Sequence, residues 1–62
     1  MNLAAQSMAR LAAEVGYYGG FAGTTWLSSW LEKFEGAPLE TVSLALWHRW
    51  NVYRRAKGCG LN

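Results

Sequence analysis

The chain has no aspartate, one cysteine, one histidine and one proline among 62 residues. Each scarcity removes a class of protein. A single cysteine cannot close an intramolecular disulfide, and one histidine with one cysteine falls short of a closed zinc site. Neither a metal nor a cofactor is expected. Charged residues make up only 16% and apolar residues 52%, the reverse of a disordered chain. Long apolar runs are missing too. Residues 15–31 carry no charge, but four glycines, two threonines and two serines dilute them. The stretch also falls short of the roughly 20 apolar residues that span a bilayer, so a membrane is not an expected partner. The opening residues lack a basic cluster, and Arg10 and Glu14 interrupt any apolar run, so no secretory leader is read there. With a lone Cys59, a reducing, cytoplasmic setting is expected.

Size sets the next constraint. One small helical domain over residues 1–62 is all the length allows. Folding hides about 6,000 Å² of surface, worth about 90 kcal/mol if about 60% of it is apolar. Ordering the chain costs about the same at roughly 1.5 kcal/mol per residue. Disulfide and metal being excluded, a partner chain is the expected supplement, and a homodimer the simplest form of it.

What the chain does have is aromatic surface and a lopsided charge. Four tryptophans are dense for this length, and tryptophan is the residue that most often anchors interfaces. Residues 1–47 carry Arg10 and Lys33 against Glu14, Glu32, Glu35 and Glu40, a net −2; residues 48–62 carry Arg49, Arg54, Arg55 and Lys57, a net +4.

Apolar spacing predicts an all-α fold with three short helices, at about 3–18, 25–35 and 38–57, as a small bundle or helical hairpin, followed by a flexible tail at 58–62. In the first, Met1, Ala4, Met8, Leu11, Val15 and Tyr18 recur at steps of three and four, with Asn2 as N-cap. Those steps suit a coiled-coil seam, and Met1, Met8, Leu11 and Val15 are the expected self-association residues. Arg10 and Glu14 are expected to pair weakly on the outer surface. Gly19, Gly20 and Gly23 predict a loop, after which Thr24 or Thr25 caps a helix carrying Trp26, Leu27, Trp30, Leu31 and Phe34 on one side and ending at Gly36. Pro38 opens the third helix, with Leu39, Val42, Leu46, Trp50 and Tyr53 as its apolar stripe. Leu44 and Trp47 lie off that stripe by about 100° or more.

Catalytic constellations are lacking. Glu32 and Glu35 fall on a solvated helix side, where nothing would shift a pKa toward acid–base work. His48 and Cys59 are a conceivable base and nucleophile, but the thiol sits in a Gly58-Cys59-Gly60 tail that cannot hold register. The glycines match neither a P-loop, which needs a following Lys-Ser/Thr, nor a dinucleotide loop, which needs a preceding strand. No enzyme is expected. A helix-turn-helix using residues 26–36, the Gly36 turn and the third helix has a fitting Gly36 and Val42, but Glu32 stands where a small residue must pack, and the cations lie at the wrong end for reading bases.

Protein association remains. The expectation is a small non-catalytic helical module, of the phage or mobile-element accessory type, that regulates a larger protein by occupying its surface. Leu44 and Trp47 would be its apolar anchors, Arg49, Arg54 and Arg55 its charge partners, with Asn51 beside them. Two alternatives stand beside it: a nucleic-acid-binding regulator using the basic C-terminal helix, and a peptide held at a membrane interface by Trp47, Trp50, Arg54 and Arg55.

Overall fold

A computed structural model describes residues 2–57. They form two helices, α1 (Leu3–Lys33) and α2 (Leu39–Lys57), joined by a short turn as a helical hairpin. The expected count of three is therefore wrong. Helix does not stop at the glycines: α1 runs through them, and only Gly20 leaves helical geometry, at φ +61° and ψ −147°. That region is open in practice to glycine alone, so the glycine cluster bends the helix at one residue. Thr24 and Thr25 do not cap a new helix. Their hydroxyls donate to the carbonyls of Gly20 and Phe21, each at 3.0 Å, as threonines inside a helix do.

The bend is severe. A straight helix of 31 residues would be about 46 Å long, whereas the longest dimension of the molecule is 32 Å. Residues eight apart in a straight helix lie about 12 Å apart along the axis, yet a Cβ on Gly23 would stand 3.0 Å from the carbonyl oxygen of Val15. The two limbs of α1, before and after Gly20, thus fold back on each other. Gly23 is buried where they meet, and the absence of a side chain there permits the approach.

The remaining ends are conventional. Asn2 caps α1, its Oδ1 accepting from the N–H groups of Ala4 (2.9 Å) and Ala5 (3.3 Å). Gly36, at φ +88°, makes the turn between the helices. The Pro38 carbonyl then accepts from the Val42 N–H at 3.1 Å to start α2.

Leu11, Val15, Leu27, Val42, Leu46 and Trp50 form the core, with the four largest fully buried side chains being Trp50, Leu11, Leu46 and Val15. Three apolar faces meet there, one from each limb of α1 and one from α2. Because the chain reverses at Gly20 and again at Gly36, the first limb and α2 run in the same direction. Their contacts repeat at seven-residue intervals. Ser7 faces Ser43 and Trp47, and Glu14 faces Trp50 and Arg54. This is the coiled-coil register expected of the first helix, but its partner is α2 of the same chain. Leu11 and Val15, expected between two copies, have no exposed surface left; Met8 packs partly against the same core. Met1 of that expected seam, Cys59 and the tail expected over 58–62 lie outside the described residues.

Candidate functional site

The residues expected to bind a partner divide into two groups. Trp47 is tied inward: its indole N–H donates to the Ser7 hydroxyl at 2.8 Å and carbonyl at 3.2 Å, and Ser43 donates to the same hydroxyl at 2.8 Å. Ser43 is itself buried, so its hydroxyl takes Ser7 as its hydrogen-bond partner. Arg54 is tied inward as well. Its guanidinium meets the Glu14 carboxylate at 2.6 Å, and the same carboxylate oxygen accepts from the Trp50 indole at 2.7 Å. Glu14 therefore reaches across to α2 and is not simply a surface partner for Arg10. The reason lies in packing: the buried Trp50 indole N–H requires an acceptor, and Glu14 is the acidic side chain on the facing limb.

Leu44, Arg49, Asn51 and Arg55 remain exposed on α2. Of these, Leu44 stands alone, 76% exposed on the side away from the core. Arg49 does not. It borders an open groove of about 340 Å³ lined by Trp26, Trp30, His48, Arg49, Val52 and Tyr53. The groove runs between the second limb of α1 and one flank of α2. Trp26 and Trp30 are four residues apart, as are Arg49 and Tyr53, so each helix contributes side chains one above the other.

The walls are aromatic and the rim is cationic. Trp26 and Tyr53 meet at 4.8 Å between ring centroids, and Tyr53 stacks on the buried Trp50 at 5.7 Å. The Arg49 guanidinium lies 4.1 Å from the Trp30 ring centroid, with the Lys33 ammonium at 5.8 Å from the same ring; Lys57 sits 6.0 Å from Tyr53. Each cation gains from the negative face of its ring. A guanidinium over a ring face still carries N–H groups directed outward in its own plane, where a carboxylate can meet them. No acidic side chain lines the groove.

Most of these residues were legible in sequence only as core. Trp26 and Trp30 share an apolar arc with Leu27, and Tyr53 shares a stripe with Trp50, but only Leu27 and Trp50 are buried; Trp26, Trp30 and Tyr53 are half-buried at the core's edge. The available signal was an excess: nine aromatic rings exceed what the core of a 62-residue chain can cover.

Chemically the groove offers rings, cations and one imidazole. Glu32 and Glu35 are both exposed, and among the described residues no three His, Cys, Asp or Glu side chains group as metal ligands. Among the same residues no helix is long and apolar enough to cross a membrane. Comparison with protein-family models, with curated proteins and with solved structures finds no match for this chain.

Proposed function

We propose that the protein is a non-catalytic binding module that takes an acidic, apolar segment of a larger protein into the groove between the second limb of α1 and α2. The observation that carries this reading is the Arg49 guanidinium 4.1 Å from the Trp30 ring centroid beside an open aromatic cleft. Half-buried tryptophan and tyrosine beside arginine is the composition of an interface hot spot. The volume lies near the lower end of ligand cavities, so it accommodates about one aromatic or branched side chain while the rim meets flanking carboxylates. As a binding groove, it would act on the target by occlusion or by selecting one conformation.

Selection from a random peptide library against the purified protein tests this. The expected outcome is enrichment of sequences in which an aromatic or branched residue is flanked by glutamate or aspartate. Their binding should be lost with Arg49→Glu and with Val52→Asp, both exposed positions whose change leaves the core untouched. Binding that survives both variants would sink the assignment to this groove. If oligonucleotides bind with a steep salt dependence and Arg49→Glu abolishes it, the nucleic-acid reading replaces this one.

A further inference from the structure

The bend at Gly20 presents aromatic side chains to solvent: Phe21 is 89% exposed and Tyr17 81%, with Tyr18 half-covered beside them. The Tyr17 and Tyr18 rings meet edge to face at 4.8 Å. None of the three lines the groove. The last turn of α2 ends at the same pole of the molecule. The Trp50 ring lies 3.5 Å from the Cβ position of Gly19, and the Arg54 guanidinium 5.3 Å from the Tyr18 ring. Arg55 and Lys57 are exposed on that turn. Acidic groups are scarce at this pole. Residues 15–31 carry no charge, Glu14 is engaged by Trp50 and Arg54, and Glu32, Glu35 and Glu40 cluster around the opposite turn.

We propose that this pole docks on an anionic lipid surface, with Phe21 and Tyr17 entering the interfacial layer and Arg55 and Lys57 lying over the headgroups. Charge argues against a second copy as the occupant, because two identical poles would bring Arg54, Arg55 and Lys57 of each chain together. Shape argues against a rigid protein partner. The rings protrude from a convex bend, and such rings need a matching socket on a protein, whereas the membrane interface accommodates amphipathic aromatics without one. The attachment is peripheral, consistent with the absence of a spanning helix among the described residues. None of these residues lines the groove, and only Lys57 reaches its rim, at Tyr53, so attachment would leave the groove open to a partner.

Co-sedimentation of the full chain with phosphatidylcholine vesicles, with and without phosphatidylserine, tests the proposal. Binding is expected with phosphatidylserine, weakening as salt is raised, and far less without it. Each cation near such a surface strengthens binding about fivefold, so Arg55→Gln with Lys57→Gln should weaken it about 25-fold. Phe21→Ser should weaken it about tenfold, and Leu44→Ser, an exposed leucine on a different face, should leave it unchanged. Circular dichroism of the variants is expected to match wild type, since none of these side chains belongs to the core. Three results would each overturn the proposal. One is no binding to phosphatidylserine vesicles. Another is a loss with Leu44→Ser equal to that with Phe21→Ser. The third is a self-associated species in sedimentation equilibrium that Phe21→Ser dissolves.

Discussion

Replacing Gly20 with alanine is expected to destabilise the protein, while the same change four residues earlier stabilises it. Both sites are exposed, and a Cβ built at either meets no atom within 4 Å, so sterics between side chains do not separate them. Backbone geometry does. Gly16 is helical, where alanine gains about 0.5–1 kcal/mol over glycine. Gly20 holds φ +61° and ψ −147°, a conformation that costs an L-residue about 1–3 kcal/mol. The smaller entropy of an unfolded alanine returns about 0.4–1 kcal/mol of that. In a domain of this size about 1 kcal/mol moves the melting temperature by about 4–8 °C. Thermal melting by far-UV circular dichroism should therefore show Gly16→Ala rising by about 2–8 °C and Gly20→Ala falling below wild type. D-alanine at position 20 supplies the complementary test in a chemically synthesised chain. The backbone angles at Gly20 are near the mirror image of polyproline II, so the D-residue should melt at or above wild type. If Gly20→Ala is as stable as wild type, or D-alanine is worse than L-alanine, the bend is not where this structure has it.

Other substitutions probe the packing. Gly23→Ala places a Cβ 3.0 Å from the Val15 carbonyl oxygen and 3.2 Å from its Cγ1, forcing the limbs apart; a loss of about 1–3 kcal/mol is expected in chemical denaturation, and no loss would refute the close approach. Glu14→Ala removes the acceptor of the buried Trp50 indole and the partner of Arg54, and should cost about 2 kcal/mol, whereas Glu14→Gln keeps an acceptor oxygen and should cost less; equal losses would mean that charge, not the indole bond, is what matters. Leu46→Ala, at a fully buried position, should cost about 2–5 kcal/mol, against about 0.5 kcal/mol or less for Leu44→Ser two residues away, and comparable values would contradict the assigned face of α2.

Local chemistry accounts for what was legible in the residues. Asn2 as a cap, the helical content, the apolar stripe of Val42, Leu46 and Trp50, and the seven-residue register of Leu11 and Val15 follow from hydrogen-bonding capacity and from a period of 3.6. So does the exposure of Arg49, because a cation on the flank of an amphipathic helix stays near its surface. Two readings failed because residue type alone does not carry the deciding feature. The glycine run reads as a loop, since residue type shows a backbone's permissiveness but not which single residue will use it; Gly16, Gly19 and Gly23 stay helical while Gly20 turns. Glu14 reads as a solvated partner of Arg10, because the groups its carboxylate meets lie 36 and 40 residues away.

Composition and periodicity thus determined on their own that the chain is helical, that it carries more aromatic surface than its core requires, and that its positive charge gathers toward one end. Only the tertiary structure decided how that surface is divided. The reversal at Gly20 brings the first limb parallel to α2, which draws Leu11, Val15, Trp47, Glu14 and Arg54 into the intrachain seam. The same reversal leaves Trp26, Trp30 and Tyr53 at an open groove and Phe21 at the bend. Periodicity specifies which face of a helix is apolar; which neighbour covers that face depends on the path of the chain between them, and here that path turns on the backbone angles of one residue.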